Sequence, residues 1–532
     1  MNNLIPDDNK KSILYIAHSS DWRGSDKSLY DMIVALKNYI NPIVIVPSDG
    51  YLVEKLKNID VECFEVPYLE MFHVDREKKD EYRQFIINLY ASIEICDVIK
   101  DKNITLVHSN TSVSDVGAIV ALRLNVPHVW HFREMLNEQF AGEYWNITIK
   151  KQLWNYADKI VSISSTVQDY ILKEYGLNSE QVYNYIECSK IISSNRKKEN
   201  LLFFGGLYER KGVWDAIKAV NYLKSKYNIN TKLYIAGSGK DEEIEEIVSY
   251  IDDNNLSNNI ELVGFKKDLY ELMSMCQFAL TCSWNEALGR TTVEAMKSGM
   301  IVIGANTGGT KEIIGEDNTK GFLYKSQDYF DLAKAIKKAM ELSEEKLDII
   351  SKNAFDFAGF YFGPSLYAER LMKIYNNCLE KKVDNLDKSA RLQLLRQVDN
   401  YLKSIAREVT DLVFVEKTLW IRHVLTNTDL ATILNQMGHK NVGIYGMSKY
   451  GRLLFDELIN TNIVVKYIKD KNEQVINEIQ TITPFVKAYS VDDDLAKDVV
   501  WIVTVINNEG DIVQRLTEKG YYAMGLRELL FK

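Results

Sequence analysis

Proline and cysteine are both scarce in this 532-residue chain, at 7 and 6 residues. The six cysteines (Cys63, Cys96, Cys188, Cys276, Cys282, Cys378) are scattered and form no Cys-x-x-Cys pair. A disulfide framework is therefore excluded as the organising feature, and buried, reduced thiols are expected. Positive charge is not in excess: 65 Lys and Arg stand against 74 Asp and Glu, a net charge of −9. That balance argues against a protein that coats nucleic acid, because binding phosphates needs a basic surface. No uncharged apolar run approaches the length that spans a bilayer, and the first twelve residues, MNNLIPDDNKKS, carry no apolar signal core. A cytoplasmic location is expected, with peripheral contact at the inner face of the cell membrane left open. What remains is an ordinary globular balance, 46% hydrophobic and 26% charged, in a chain too long for one core and suited to three or four domains.

Short apolar runs alternate with helical patterns from the start. Strands are read at Ile13–Ala17, Pro42–Val46, Val61–Val66, Leu106–His108, His128–His131 and Asp158–Ser164, with helices such as Ser28–Leu36 and Tyr82–Ile99 between them. This alternation predicts a parallel α/β sheet. A charged stretch, Ser193 to Asn200, reads as a structureless linker. A second α/β series follows at Leu201–Phe204, Leu233–Ala236, Ile260–Val263, Phe278–Thr281 and Ile301–Gly304. Near Tyr375 the pattern turns helical. Leu395, Val398, Leu402, Ile405, Val409 and Leu412 make about two and a half heptads, flanked by Lys388, Arg391, Arg396, Lys403 and Arg407. Packing within the protein, a homodimer through the 388–412 helix, and a basic helix on anionic lipid all fit that pattern. A third, small α/β series closes the chain with strands at Val442–Tyr445, Val464–Ile468 and Val499–Val505. The expected domains are therefore 1–195 and 196–375, two Rossmann-like halves facing a cleft, a helical linker 376–437, and a small Rossmann-like domain 438–532.

The densest set of chemistry-bearing residues runs from Ser283 to Gly299 and includes Glu286, Gly289 and Glu294. It lies where the Phe278–Thr281 strand ends and a helix begins, the edge of an open α/β sheet where ligands bind. Thr291 and Glu294 have the spacing of a capping box, which would give Glu294 a purely structural role. Glu286, in the loop between Trp284 and Leu288, has no such folding reason. Beside it the helix start offers free N–H groups and the positive end of the dipole, a ready anion site.

The block Glu286-x7-Glu294 resembles the motif of the retaining, GT-B-fold glycosyltransferases of family 4. Further landmarks follow in the same order as in that family. Phe203-Phe-Gly-Gly206-Leu-Tyr-Glu-Arg210-Lys211-Gly212 is similar to its glycine-rich phosphate loop, and Leu233 to Gly239, including Gly237, to the next strand and turn. Val263-Gly-Phe265 is similar to the segment lining the base, Thr307-Gly-Gly309-Thr-Lys-Glu312 to the GG-x-x-E segment, and Gly321-Phe-Leu to the turn after it. The first half matches more loosely. Arg23-Gly24 stands where the family has two glycines, Trp130-His131 resembles the strand-end histidine that faces the sugar, and Asn184-Tyr-Ile-Glu187 resembles a degenerate form of a family turn.

The resemblance implies a transfer from a nucleotide-diphosphate sugar to a glycan, lipid-linked or protein acceptor, with retention and without a metal cofactor. It assigns Glu286 to the donor sugar hydroxyls, Glu294 to the ribose, Arg210 and Lys211 to the diphosphate, and His131 to the sugar near its reacting carbon. Gly24, Gly206, Gly237, Val263, Phe265, Ala287, Leu288, Gly289, Arg290 and Thr291 complete the donor site it implies. Chemically, a departing diphosphate needs fixed positive groups, which Lys211 and the helix start after Gly289 supply. The family often has Gly-Arg where this chain has Gly205-Gly206, leaving Arg210 as the substitute cation. The pair His128-x-x-His131 is poorly spaced for a metal, since residues three apart on a strand face opposite sides.

In the last domain, Gly446-Met-Ser448-Lys-Tyr-Gly451 with Asp470 further on is a dinucleotide fingerprint whose middle glycine is serine. A structural or assembly role and nucleotide binding are both consistent with it. The competing reading for the whole chain is a non-catalytic GT-B-fold partner of another glycosyltransferase. A sugar-nucleotide epimerase on the same fold, or a dehydrogenase centred on the last domain, fits the motifs less well.

Overall fold

The computed structural model describes residues 10–74, 78–145, 147–187, 196–266, 268–380 and 430–447, then 451, 454–455, 458, 461–470, 486–489, 495–505, 509–526 and 529. The chain divides into two compact units: Met1–Arg76 with Ala91–Asn385, which holds both large lobes, and Glu77–Tyr90 with Leu386–Lys532, which holds the C-terminal region.

The strands of the first lobe are β1 (Lys11–Ile16), β2 (Ile40–Val46), β3 (Glu62–Glu65), β4 (Phe72–His73), β5 (Ile104–Ser109), β6 (His128–Phe132), β7 (Glu143–Tyr144), β8 (Lys159–Ser162) and β9 (Glu180–Gln181). Seven of them form a parallel sheet in the order β3-β2-β1-β5-β6-β8-β9, while β4 and β7 pair antiparallel as a separate ribbon. The apolar runs are nearly continuous because both sheet faces are covered. On β1, Ile13 and Tyr15 enter one core with Val44 and Val46. Leu14 and Ile16 enter the opposite core with Ile43 and Ile45, the period-two division of a pleated strand.

The second lobe carries β10 (Lys197–Phe204), β11 (Lys232–Ala236), β12 (Ile260–Leu262), β13 (Cys276–Thr281), β14 (Ile301–Ala305) and β15 (Gly321–Tyr324). They form a parallel sheet in the order β12-β11-β10-β13-β14-β15. In each lobe the first strand has neighbours on both sides that leave in opposite directions, β2 and β5 beside β1, and β11 and β13 beside β10. Crevices open at the carboxyl ends of strands at such switch points.

Three local readings need correction. The charged residues Lys197 to Asn200 are not linker but the first half of β10. Lys197 and Glu199 are exposed and half-buried Lys198 pairs with Glu344 at 2.8 Å, so the charge stays at the surface while buried Asn200 and the backbone join the sheet. Gly321–Leu323 belongs to a strand, β15, and not to a turn. The capping box at Thr291 does not form. The helix Arg290–Lys297 is entered through Gly289 in a left-handed conformation (φ 86°), two residues before Thr291, which leaves Glu294 free to face Arg290.

The helix Pro364–Glu380 runs back to the first lobe and buries Tyr367, Leu371 and Tyr375 in that lobe's core. A boundary at residue 375 would cut through it. The C-terminal unit contains a helix Leu430–Gln436 and strands β16 (Asn441–Tyr445), β17 (Val464–Lys469), β18 (Lys487–Tyr489), β19 (Val500–Val503) and β20 (Ala523–Gly525). These form a parallel sheet in the order β18-β17-β16-β19-β20, a Rossmann-like arrangement. The heptad seam 395–412, its basic flank and Ser448 lie outside the described residues. Among the described residues, no helix is long and apolar enough to cross a membrane.

Candidate active site in the interlobe cleft

Loops leaving β1, β5 and β6 in the first lobe and β10 and β13 in the second enclose a cleft of about 620 Å³. From the second lobe it is lined by Tyr208, Lys211 and the run Glu286 to Arg290. Lys211 ends a single 3₁₀ turn, and the chain then passes through Gly212 at φ +73°. A Cβ on Gly212 would lie 2.1 Å from the carbonyl oxygen of Cys282, so only glycine lets this turn sit against the end of β13. The Lys211 ammonium is hydrogen-bonded to Glu286 Oε1, which also accepts from Ser283 Oγ at 2.6 Å. Burial works against the Lys211 charge, but Glu286 and Tyr208 outweigh it and hold the pKa above the usual lysine value.

Glu286 is held up from below. Gly309 N–H donates to the Glu286 carbonyl at 2.7 Å, and a Cβ on Gly309 would come within 2.3 Å of the Leu288 carbonyl oxygen. The paired glycines are therefore a packing requirement of the loop that carries Glu286. At the helix start, Thr292 Oγ1 and Thr310 Oγ1 flank Gly289 and are buried without a hydrogen-bond partner among the described residues.

Arg290 reaches across the cleft. Its Nη2 lies 2.8 Å from Asp31 Oδ2 of the first lobe, and its Nε lies 2.8 Å from Glu294 Oε1. Burial opposes its charge, but the two carboxylates dominate and raise its pKa. Asp31, buried with Glu294 and Glu187 nearby, is pushed up to about 6, since desolvation exceeds the pull of Arg290.

The first lobe contributes His18, Arg23, Gly24, Glu70, Phe72, Arg133, Glu134 and Phe140 to the lining. Arg133 follows the end of β6 and is only 7% exposed. Its Nε lies 2.8 Å from the Asn110 carbonyl and its Nη1 2.6 Å from Asn184 Oδ1. Glu134 accepts from the backbone N–H groups of Ser112 at 2.7 Å and Arg133 at 3.0 Å. Arg23 turns to Asp21 at 2.9 Å.

Of the residues singled out in the sequence, Gly24, Lys211, Glu286, Ala287, Leu288, Gly289 and Arg290 meet at this cleft. The others are not among its lining residues. Arg210 donates to the Glu138 carbonyl at 3.2 Å and stands 5.9 Å from the Phe140 ring, so it faces the first-lobe helix Leu136–Phe140, whose Phe140 lines the cleft. Phe265 is 69% exposed after β12, beside Val263, whose N–H is tied to β11. Gly206 is covered by the Tyr208 ring, and Gly237 abuts the Gly205 carbonyl. Thr291 is half-buried, and Glu294 is taken by Arg290. His131 is fully buried behind Arg133. In the C-terminal unit, Gly446 (φ +98°) and Gly451 are in close contact, as a tight turn requires. Asp470 accepts the Met447 N–H there.

Sequence reasoning missed Asp31, Arg133 and Glu134. The Arg133-Glu134 pair follows the singled-out His131 after one intervening residue, Phe132, a signal that was available. Asp31 carries only the weaker one of an acid on the apolar face of the helix Gly24–Leu36.

A second set of bonds also ties the lobes together. Glu312 of the second lobe accepts from the N–H groups of Ser165 (2.8 Å) and Thr166 (2.9 Å), from Thr166 Oγ1 (2.9 Å) and from Tyr183 Oη (2.6 Å). It thus sits as an anion on the start of the first-lobe helix Ser165–Tyr175. Ser164 Oγ donates to the Ala287 carbonyl, and Lys297 Nζ donates to the carbonyls of Ile186 (2.6 Å) and Phe362 (3.0 Å).

Residues 186–357 match the family model described as glycosyl transferases group 1, and residues 23–190 match that of glycosyltransferase family 4. The two-lobed unit belongs to these glycosyltransferases. An uncharacterised glycosyltransferase of Methanocaldococcus jannaschii is 25% identical over 246 residues, 44% of this chain and 62% of that protein. The N,N'-diacetylbacillosaminyl-diphospho-undecaprenol alpha-1,3-N-acetylgalactosaminyltransferase of Campylobacter jejuni is 21% identical over 379 residues, 66% of this chain and 94% of its own. The chain thus spans less than two thirds of the first of these relatives and nearly all of the second. Among solved structures, Anabaena HepE in complex with UDP and glucose superposes with a TM-score of 0.57 at 20% identity, covering 69% of this chain and all of HepE. That likeness shows the GT-B fold of the glycosyltransferase lobes.

Proposed function

We propose that the chain is a retaining, metal-independent glycosyltransferase that moves a sugar from a nucleotide-diphosphate donor to a glycan or lipid-linked acceptor in cell-surface glycan biosynthesis. The observation that carries this reading is the convergence of Lys211, Glu286 and the helix start after Gly289 on one interlobe cleft. HepE was solved with UDP and glucose, and the Campylobacter relative is named for transfer to a diphospho-undecaprenol acceptor. Both point to the same substrate classes.

In this reading the bond between the anomeric carbon and the β-phosphate oxygen breaks, and its electron pair leaves with the diphosphate. The acceptor hydroxyl oxygen bonds to the anomeric carbon on the same face, and its proton passes to the departing phosphate. The sugar becomes oxocarbenium-like in between. The Lys211 ammonium and the N–H groups at the start of Arg290–Lys297 receive the charge that develops on the leaving group. The orphan hydroxyls of Thr292 and Thr310 support that end as further donors. Glu286 accepts from sugar hydroxyls, its carboxylate oriented beforehand by Ser283 and Lys211. Metal independence rests on these cationic and dipolar groups and on the lack of an Asp-x-Asp sequence at a suitable place.

Calorimetry with UDP and GDP, followed by a screen of nucleotide sugars for donor hydrolysis with and without EDTA, tests the proposal. One of the nucleotides should bind, and hydrolysis should survive EDTA. Lys211→Ala and Glu286→Ala should each abolish transfer while the fold persists. Full activity in both variants defeats the catalytic assignment. Binding of neither nucleotide moves the reading to a non-catalytic partner of another transferase.

A further inference from the structure

Four Lys and Arg side chains line the interlobe cleft among the described residues: Arg23, Arg133, Lys211 and Arg290. Three of them are built into its walls. Lys211 is hydrogen-bonded to Glu286, and Arg290 lies between Asp31 and Glu294. Arg133 is buried, with Nε on the Asn110 carbonyl (2.8 Å), Nη1 on Asn184 Oδ1 (2.6 Å) and Nη2 on His131 Nδ1 (3.3 Å). Three carboxylates, Glu70, Glu134 and Glu286, share the lining. The walls therefore hold little excess positive charge for a diphosphate, whose departure concentrates negative charge on its oxygens. Arg210, the substitute cation expected from the sequence, is not among the lining residues.

Arg23 is the exception. Its side chain is 70% exposed, and its Nη2 lies 2.9 Å from Asp21, itself 57% exposed. A pair between two solvated side chains on one loop is weak and readily exchanged for a better partner. The stem, in contrast, is fixed. Arg23 N–H donates to Asp26 Oδ2 at 2.9 Å, and the Arg23 carbonyl accepts the Lys27 N–H at 3.0 Å. Asp26 is fully buried and takes a further bond from Ser19 Oγ at 2.8 Å. Just before Arg23, Trp22 holds φ +70°, a conformation costly for a tryptophan. Its ring is kept there by Tyr30 and Tyr51, at 5.5 and 5.4 Å between centroids. The loop between β1 and the helix Gly24–Leu36 is thus locked as far as the Arg23 backbone, and the guanidinium alone is left in water.

The place of that head decides what it can bind. Gly24 and Ser25, which open the helix Gly24–Leu36, line the same cleft, so the positive end of that helix faces it too. A Cβ on Gly24 would meet nothing within 4 Å, which leaves the space beside Arg23 open. Lys211 reaches the cleft from the second lobe, at the end of its 3₁₀ turn. An anion held in the cleft meets Lys211 from one lobe and Arg23 from the other. A guanidinium presents paired N–H groups in one plane, the shape that takes two phosphate oxygens together, whereas an ammonium acts as a point charge. An exposed carboxylate such as Asp21 is the weaker partner of the two, because water competes for it fully.

We propose that Arg23 is a catalytic residue that leaves Asp21 when the donor binds and grips the departing β-phosphate from the first lobe, opposite Lys211. This rests on the nucleotide-diphosphate reading of the cleft. No bond forms to Arg23 itself. When the bond from the anomeric carbon to the β-phosphate oxygen breaks, its electron pair goes to that oxygen, and the guanidinium meets the added charge with two hydrogen bonds. The proposal also gives a reason for an arginine at a position where the family has glycine. At φ −76° the backbone there does not require glycine, so the position can carry a side chain into the cleft.

Calorimetry on the full-length protein compares UDP with UMP and GDP with GMP, and the test proceeds with the pair that binds. Arg23→Gln should weaken the diphosphate about 10- to 100-fold and leave the monophosphate within about 2-fold. Its thermal melting should match the wild type, because the side chain is exposed. Arg23→Lys keeps the charge but loses the planar fork, and should fall between the two. Asp21→Asn removes the competing carboxylate and should tighten the diphosphate about 2- to 5-fold. With whichever of UDP-glucose and GDP-mannose is hydrolysed, Arg23→Gln should lower kcat about 10²-fold. Equal weakening of monophosphate and diphosphate, or wild-type affinity and kcat in Arg23→Gln, overturns the proposal. Unchanged UDP or GDP affinity together with weaker binding of farnesyl diphosphate gives the arginine to the phosphates of a lipid-linked acceptor, and overturns its assignment to the donor. If the wild type binds neither UDP nor GDP, the reading of the cleft falls and this proposal falls with it. If it binds one of them and Arg23→Gln binds that one equally well, only the role of Arg23 falls.

Discussion

Removing the Glu312 carboxylate should loosen the join between the lobes without unfolding either one. Its four hydrogen bonds all cross from the second lobe to the first. A hydrogen bond to a charged group is worth about 1.5–3 kcal/mol, and the charge on the helix start adds about 0.3–1 kcal/mol. The full sum is not expected. The Ser165 bond is exposed and the other three are only partly buried, so water replaces most of what is lost. Ser164 also caps Val167 N–H independently at 3.0 Å. A net loss of about 2–3 kcal/mol for Glu312→Ala is therefore reasonable, and about 1 kcal/mol for Glu312→Gln, which keeps one acceptor oxygen. Hydrogen exchange reads this locally. The amides of Ser165 and Thr166 should exchange about 30- to 150-fold faster in Glu312→Ala, with Glu312→Gln in between, while amides in β10, β13 and β14 keep their protection. Unchanged exchange at Ser165 and Thr166, or an equal loss across the second-lobe sheet, would refute the view that this carboxylate acts as a latch between lobes.

Three further outcomes are expected. Lys150, with no exposed side-chain surface, pairs with buried Asp115 and lies 5.1–5.9 Å from the rings of Trp130, Tyr144 and Trp154. Lys150→Met strands a buried carboxylate and should cost about 3–5 kcal/mol in denaturant unfolding, most of it recovered by adding Asp115→Asn. If the double variant is as unstable as the single one, the pair is not the cause. Gly212→Ala must fit a Cβ against the Cys282 carbonyl at φ +73°. It should cost about 2–4 kcal/mol by thermal melting and weaken nucleotide binding, because Lys211 moves with the turn; a native Tm and affinity would contradict this. Asp31 binds its proton more tightly folded (pKa about 6) than its ordinary value of 3.8. Its contribution is therefore complete below about pH 3.8 and is lost as pH rises through about 6. The stability difference between wild type and Asp31→Asn should fall by about 2 kcal/mol from pH 4 to pH 7, and a flat difference would refute the shift.

Much of this fold was legible because it is local. Residues such as Ile13–Ile16 and Leu201–Phe204 are apolar on both faces, and that run length marks a covered parallel strand wherever the chain goes next. Glycines at 212, 308 and 309 also announced themselves, and their close contacts supply the reason. The site was legible to the extent that one loop and one turn hold it: Lys211, Glu286 and Gly289 sit at the ends of β10 and β13, which are neighbours in one sheet. Where the reading failed, two local signals competed. The Thr291–Glu294 spacing looked like a cap, but a glycine two residues earlier had already started the helix. The charges at Lys197–Asn200 looked like linker, but a strand end that projects into solvent tolerates them.

Other features depend on residues far apart in the chain. Asp31 and Arg290 are 259 positions apart and His108 and Tyr375 are 267 apart, and nothing in either neighbourhood names its partner. The chain by itself determined where strands, turns and the helix start after Gly289 would form, since those depend on neighbours within a few residues. Only the tertiary structure decided that Arg210 packs on the first-lobe helix Leu136–Phe140, that Glu294 is held by Arg290, and that a returning helix sets its tyrosine against His108. Such choices follow from the path of the backbone through space, where a hydrogen bond forms or fails over a few tenths of an ångström, a scale that spacing along a sequence does not encode.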